Sequence, residues 1–235
     1  MDYERYKKYF LARTFWFRYV GIALVALGAV MFLLGYFNHM FFILPAGAVF
    51  VIAGGITGWA PSSGRANEKE VLAAVERMTD GAEDKALERT GLRYKVADNM
   101  PPQRVTGYVF TTDNPYVRRG DDGRWRTSDC VCSVLIFTNM GICTVSEKFS
   151  LVAESTPEIT RRELLFSDFD GACFDMEEHV VPYGKTEETA HFSRLTFTLG
   201  NEAVFSLPAE KSATLEIMIS DLLHHRETVL RNRSR

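Results

Sequence analysis

Residues 163–175 read ELLFSDFDGACFD, an apolar run that leads into Asp168-Phe169-Asp170-Gly171. These four residues decide the fold. If they form a tight turn between antiparallel strands, the C-terminal half is a sheet-rich domain. If Asp168 is a reactive carboxylate, the chain must build a parallel sheet around it. Aspartate and glycine favour the turn, because aspartate hydrogen-bonds to nearby backbone and glycine adopts positive φ.

The same segment resembles the nucleophile loop of haloacid-dehalogenase-type phosphatases, which implies a nucleophile at Asp168, a second acid at Asp170 and bound Mg²⁺. Such an enzyme needs a parallel sheet with crossover helices. Only 65 residues follow Asp170, their pattern is one of strands and a single helix, and Ala172 replaces the usual threonine. A motif counts only in its structural context. We therefore predict a turn and no enzyme, and keep a metal-dependent phosphohydrolase as an outside alternative.

Alternating apolar and polar residues on both sides of this turn predict antiparallel strands. Seven runs show the pattern: 105–111, 129–137, 142–152, 160–166, 172–180, 190–199 and 202–207. An amphipathic helix is predicted after them, because apolar residues recur at i, i+3, i+4, i+7 and i+8. These residues are Leu215, Met218, Ile219, Leu222 and Leu223.

Three segments of this half resemble a bacterial pleckstrin-homology-like (PH-like, GRAM-like) domain: SVLIFTNMGICTV (133–145), ELLFSDFDGACFDMEE (163–178) and FSRLTFTLGNEAVFSLPAEKSATLEIMISDLL (192–223). Thr138-Asn139 and Ser167-Asp168-Phe169 stand where the family has its short motifs. The resemblance implies that residues 104–235 form a seven-stranded antiparallel barrel capped by a C-terminal helix.

Two uncharged apolar runs, residues 19–37 and 40–59, occupy the N-terminal part. Each is long enough as a helix to cross the hydrocarbon core of about 30 Å. Only Asn38-His39 separates them, which indicates a hairpin turn. A signal peptide does not fit, because a second apolar run follows at once. The predicted fold class is therefore α+β, a two-helix transmembrane hairpin plus the PH-like domain.

Glycines recur along one face of each predicted span, and small residues let helix backbones approach closely in lipid. They are Gly21, Gly28 and Gly35 in the first span and Gly47, Gly54 and Gly58 in the second. We expect them to pack the two spans together; a seam between two copies of the chain is the alternative.

Cations flank the hairpin and are missing from its turn, so the positive-inside rule predicts a multi-pass protein of the cell membrane with both termini in the cytoplasm. They are Arg5, Lys7, Lys8, Arg13, Arg18, Arg65 and Lys69. The predicted organisation is a basic segment with both spans over residues 1–62, a helical connector over 63–103 and the PH-like domain over 104–235. Asn67 and Glu70 have the spacing of a capping box, which predicts a helix over 68–79.

A basic cluster lies between the first two predicted strands, in VRRGDDGRWR (117–126). In PH-like folds, the resemblance implies, this loop binds anionic lipid headgroups. Arginine suits phosphate because its forked donors bind two oxygens, but Asp121 and Asp122 neutralise part of the charge. A solvated turn and a headgroup or phosphate site are both open. The candidate ligand residues are Arg118, Arg119, Arg124, Trp125 and Arg126.

No cofactor or metal is expected. Cys130, Cys132, Cys143 and Cys173 lack the spacing of a zinc site and are predicted to be buried thiols. Residues 104–235 carry 15 Lys/Arg and 20 Asp/Glu, which argues against a nucleic-acid partner. The predicted partners are the bilayer and a protein or a second copy. The predicted function is a membrane-anchored adaptor; a lipid-headgroup sensor is the alternative.

Overall fold

The computed structural model describes residues 2–11, 15–37, 44–59, 64–93, 95–97, 100–111, 113–154, 156–183 and 186–233. The chain divides into two compact units. One is formed by residues 11–66, and the other combines residues 1–10 with residues 67–235.

Six helices and nine strands occur in the described residues. The helices are α1 (Tyr3–Phe10), α2 (Phe15–Phe37), α3 (Leu44–Trp59), α4 (Glu68–Thr79), α5 (Ala82–Thr90) and α6 (Ala213–Arg233). The strands are β1 (Gln103–Tyr108), β2 (Val117–Arg119), β3 (Trp125–Thr127), β4 (Asp129–Phe137), β5 (Gly141–Ser150), β6 (Glu158–Leu165), β7 (Gly171–Tyr183), β8 (Thr186–Leu199) and β9 (Glu202–Pro208).

The 11–66 unit consists of α2 and α3. Within the described residues, Tyr19–Phe37 is the one helix long and apolar enough to cross a membrane, with a mean hydropathy of 2.4 and 17% of its apolar window buried. Leu44–Thr57 is a shorter apolar helix. The predicted turn at Asn38-His39 and the start of the second predicted span, residues 40–43, lie outside the described residues. By length and composition, one of the two predicted spans is therefore able to cross a membrane.

Glycines lie where α2 and α3 pack against each other. A Cβ on Gly28 would come within 2.6 Å of the Gly47 carbonyl oxygen, and one on Gly54 within 2.6 Å of the Gly21 carbonyl oxygen. Gly35 is also buried. The surroundings of Gly58 lie outside the described part of the chain. At Gly28 and Gly54 the two helix backbones approach so closely that a side chain would force them apart.

The second unit is α+β, as predicted, but the predicted seven-stranded barrel is wrong. Its strands form three open antiparallel sheets, ordered β1-β4-β5-β6, β2-β3 and β7-β8-β9. All seven predicted strands are present, and the two extra strands come from the polar 117–127 segment. The barrel does not form because the chain leaves the first sheet after β6, turns at 166–170 and starts a new sheet at β7. Side chains, and no continuous ladder, join the two larger sheets.

The main core lies between these two sheets and α6. Phe166, Phe169, Phe197 and Leu222 are each at most 1% exposed, and all belong to one hydrophobic cluster. Aromatic rings make edge contacts there, with the centroids of Phe169 and Phe197 5.4 Å apart. The removal of these apolar side chains from water is the main source of the unit's folding stability. The apolar stripe of α6 therefore covers the sheet, as its spacing predicts.

The connector is helical, as predicted. Asn67 and Glu70 form a complete capping box at the start of α4: the Asn67 side chain accepts from the Glu70 N–H at 2.8 Å, and Glu70 Oε2 accepts from the Asn67 N–H at 3.0 Å. α5 covers the outer face of the four-stranded sheet, where Ala86 packs against Ile136 and Val145. Both helices are part of the sheet-containing unit.

Candidate functional site

The predicted basic loop is a β-hairpin. Arg118 lies opposite Arg126, and Arg119 lies opposite Trp125. The turn closes through a hydrogen bond from the Gly123 N–H to the Gly120 carbonyl, and Gly123 has a φ of 79°, a value that glycine reaches without strain. Because side chains alternate between the faces of a strand, the hairpin sends its arginines in different directions.

Arg126 lies inside the protein. Its side chain is 3% exposed; it donates to both oxygens of Asp122, at 3.0 and 2.7 Å, and Nη1 is 2.7 Å from Oε1 of Glu68 on α4. Burial lowers the pKa of Arg126, but the hydrogen bond with Asp122 and the charge of Glu68 raise it more. Glu68 and the partly exposed Asp122 therefore compensate the buried charge of Arg126, and the ion pair with Glu68 holds the hairpin to α4.

Arg118 holds the N-terminal helix. Its Nη1 donates to the Tyr9 carbonyl at 2.8 Å, and its guanidinium lies over the Tyr9 ring, 4.3 Å from the centroid. Tyr9 and Phe10 are each 1% exposed. A second contact joins α1 to α4, where Arg5 Nη2 is 3.1 Å from Glu70 Oε2. A helix that the sequence analysis did not predict thus occupies one face of the predicted ligand site.

The remaining members of the predicted cluster line a groove of about 310 Å³. Arg119 donates to the Gly123 carbonyl at 3.1 Å. Arg124 lies 3.8 Å from an Asp122 oxygen and 3.6 Å from a Glu210 oxygen, and its side chain is 59% exposed. Other lining residues include Trp125, His191, Phe192 and Lys211. The structure therefore divides the five candidate residues between a buried ion-pair network, the α1 contact and an open, partly cationic groove.

The Asp168–Gly171 segment is a turn whose carboxylates bind backbone N–H groups. Asp168 Oδ2 accepts from the Leu165 N–H at 3.0 Å, and Asp170 Oδ2 accepts from the Gly200 N–H at 2.8 Å. The Asp170 N–H donates to the Thr198 carbonyl at 2.7 Å. Among the described residues, no group of three or more His, Cys, Asp and Glu side chains is placed to hold a metal ion.

Three of the four thiols are buried as predicted, while Cys173 is exposed. Burial raises the pKa of Cys132 to about 11 and that of Cys130 well above its ordinary value. The thiolate is the reactive form of cysteine. Both side chains are also buried, 1% and 4% exposed, so little of either thiol is open to reagents in the folded protein.

The most exposed element of the sheets is β6, the edge strand of the four-stranded sheet. Every residue of Glu158–Leu165 is exposed except the half-buried Leu164, and the strand pairs with β5 alone. Of the other edge strands of the two larger sheets, β7 contacts α6 and β2, and β1 and β9 contact each other. The Arg161-Arg162-Glu163 run is the sequence signal for this edge, because charged residues are common on edge strands.

Hydrogen bonding fixes which backbone groups of β6 point away from β5. The Phe166 N–H donates to the Met140 carbonyl, and hydrogen-bonded pairs alternate along an antiparallel ladder. Leu164 and Arg162 thus point their N–H and C=O groups toward β5, while Glu163 and Arg161 point theirs outward. Leu165 also points outward, but its N–H and C=O bind the side chain and N–H of Asp168.

Comparison with known proteins gives no identification. No protein-family model matches the chain, and searches of curated proteins and of solved structures found no match.

Proposed function

We propose that the protein is a membrane-anchored adaptor whose cytoplasmic domain binds a protein partner by adding a strand at β6. The carrying observation is the exposure of β6 along its length with outward-facing backbone groups at Arg161 and Glu163. An extended segment that pairs with such an edge gains main-chain hydrogen bonds, and the side chains of the strand provide selectivity.

We propose that the domain is PH-like, because of the resemblance over roughly residues 104–230 and the order of its elements. A four-stranded sheet, a three-stranded sheet and a C-terminal helix follow one another along the chain. The β2–β3 hairpin is an addition to that order. The domain has no crossover helix between β6 and β7, which supports a binding role for it over phosphohydrolase chemistry at Asp168.

The connectivity of the chain supports a two-span anchor. Residues 1–10 and 67–235 belong to the same compact unit, although residues 11–66 separate them in sequence. If α2 crosses a bilayer, the chain must cross back before residue 67 to rejoin that unit. The 16 residues of α3 span about 24 Å at 1.5 Å per residue, and the apolar run of the sequence begins earlier, at Met40. Flanking cations support the cytoplasmic location of both termini.

Cysteine labelling in intact cells tests the anchor. In a Cys173→Ser background, a membrane-impermeant maleimide should label His39→Cys from outside, whereas Ser63→Cys should react only after lysis. If both cysteines react in intact cells, or both react only after lysis, the two-span anchor is wrong. None of these substitutions lies in β6.

Site-specific photo-crosslinking tests the binding edge. A photoreactive residue at Arg161, on the free edge, should give a discrete protein adduct in native membranes. The control is Lys148, a half-buried residue of β5 that pairs with β4 on one side and with β6 on the other. Equal adducts from both positions would mean that β6 has no special role.

The groove supports a second candidate, binding of an anionic headgroup. Arg119, Arg124 and Lys211 line it beside Trp125 and Phe192, while Arg118 and Arg126 are held by other contacts. Binding of short-chain phosphatidylserine to the full chain in neutral micelles should weaken with salt and disappear in Arg119→Ala/Arg124→Ala. Phosphatidylserine binding that changes neither with salt nor with the double substitution would rule out headgroup binding in the groove.

A further inference from the structure

The exposed face of β6 is complementary to itself. The strand reads EITRRELL over Glu158–Leu165. Arg161 and Glu163 stand two residues apart and already form an ion pair within the strand. Ile159 and Leu165 lie outside them and are 46% and 45% exposed. An apolar residue, a cation, an anion and an apolar residue thus follow one another at every second position on one face.

We propose that β6 pairs antiparallel with β6 of a second copy of this chain, about a two-fold axis at Arg162. In this register Arg161 lies opposite Glu163 of the second copy, and Ile159 lies opposite Leu165 of the second copy. Both pairs occur twice by symmetry. A two-fold interface requires this kind of self-complementarity, and opposite charges or apolar side chains across a strand pair stabilise it.

Neighbouring registers lack this match. A two-residue shift in one direction places Arg161 opposite itself, and a shift in the other direction places Glu163 opposite itself. Like charges directly opposite are destabilising. The proposed register also has one like pair, Arg162 with itself, but it lies on the other face of the strand, where each guanidinium contacts the Phe205 ring of its own chain. A one-residue shift is excluded by hydrogen bonding, because it would set outward-pointing backbone groups against groups that already bind β5.

The backbone supports the same register. The outward N–H and C=O groups of Arg161 and Glu163 would form hydrogen bonds with their counterparts in both copies, while Leu165 keeps its bonds to Asp168. Arg162, at the axis, lies over the Phe205 ring of its own domain, 5.5 Å from the centroid. That contact draws the two guanidinium groups toward their own domains. The product is one eight-stranded sheet across the two copies.

This pairing rests on the proposed function, because it names a second copy as the protein partner that binds β6 and because it relies on the membrane anchor. A few backbone bonds and two ion pairs make a weak interface in dilute solution, because association loses translational and rotational freedom. Anchoring both copies in one bilayer raises their effective concentration. We therefore expect pairing in membranes and little pairing in dilute detergent.

Disulfide formation in membranes measures the register directly. Residues at a non-hydrogen-bonded antiparallel position have Cα atoms about 4.5 Å apart, within the range that a disulfide bridges. With Cys173→Ser as background, the full-length Arg162→Cys chain should form a covalent dimer under mild oxidation. The control Thr160→Cys lies opposite residue 164 of the second copy, so its two sulfurs are separated by roughly 13 Å of strand, and it should remain monomeric. No dimer from Arg162→Cys, or equal dimer from both, would overturn the proposal.

Charge exchange tests the ion pairs independently. Arg161→Glu and Glu163→Arg should each reduce co-purification of two differently tagged copies from membranes by at least about tenfold, a loss of roughly 1.4 kcal/mol. Mixing the two variants restores both pairs between copies, so co-purification should return to the wild-type level. Intrastrand effects alone cannot produce this rescue. Wild-type behaviour of either single variant, or failure of the mixture, contradicts the register.

The two proposals fail in distinguishable ways. An Arg162→Cys chain that gives only a disulfide adduct with a different protein rules out self-pairing and leaves the adaptor proposal in place. The anchor is tested by labelling at His39, which does not involve β6. In each variant, protection of the buried Cys130 thiol from a maleimide dye checks that the domain is folded.

Discussion

Replacing Arg126 with glutamine should strongly destabilise the sheet-containing unit. The Arg126 side chain is 3% exposed and pairs with Asp122 and with Glu68, whose side chain is 15% exposed. Removing one partner of a buried ion pair costs about 3–5 kcal/mol, because the other charge stays buried and unmatched. Asp122 is 40% exposed and regains water, which favours the lower end, about 3 kcal/mol. For a unit of this size that loss lowers Tm by about 6–12 °C.

Heating the detergent-solubilised full chain, in a Cys173→Ser background, with a maleimide dye measures this change, since the three remaining thiols are buried and react only on unfolding. Arg119→Gln is the matched control, because this arginine lies on the same hairpin and is exposed; its effect should stay within about 0.5 kcal/mol. In a double-mutant cycle, Glu68→Gln should add far less in the Arg126→Gln background than alone. A Tm for Arg126→Gln within 2 °C of wild type, roughly the shift expected of a surface residue, would refute the internal role of Arg126.

The hydrogen bond from Arg126 lowers the pKa of Asp122. The Asp122 carboxylate therefore contributes its full stability above the unfolded pKa of about 3.9, and this contribution is lost as the pH falls through the lowered folded pKa. The Tm advantage of wild type over Asp122→Asn should disappear over the same pH range. Gly54→Ala should lower the aggregation temperature in detergent, because its Cβ would lie 2.6 Å from a carbonyl oxygen of α2, whereas Gly55→Ala meets nothing within 4 Å and should have no effect. Phe169→Ala, at a position 0% exposed, should cost about 3–5 kcal/mol in thermal unfolding.

Periodic patterns and local chemistry predicted the elements well. The 68–79 helix agrees with α4 because the capping box of Asn67 and Glu70 is a short-range signal that needs no tertiary information. The 129–137 strand agrees with β4 because its apolar run is buried on both faces. The pairing of strands between sheets depends on tertiary contacts, which the alternation of apolar and polar residues does not encode. The alternation does not show which sheet edges remain open, and the predicted closed barrel is therefore wrong.

The short elements escaped prediction for a related reason. β2 and β3 have three residues each, too few for a period-two pattern to stand out from the turn residues around them. α1 has eight residues, of which four are aromatic: Tyr3, Tyr6, Tyr9 and Phe10. Isolated helices of that length are marginal in water. α1 forms because it buries Tyr9 and Phe10 against the domain, which is a tertiary effect.

The basic cluster illustrates why charge in sequence is a poor guide to charge in the fold. Within 117–126 only Asp121 and Asp122 oppose four arginines, and the segment looks cationic. Folding brings Glu68 to Arg126 from 58 positions away and places the Tyr9 carbonyl on Arg118. The free cations are reduced to those at the rim of the groove. An anion that binds this protein must therefore compete with Asp122 and Glu210 for Arg124, whereas a strand that binds β6 displaces only water from the edge. This difference in competition is why the edge, and not the arginines, carries the proposed function.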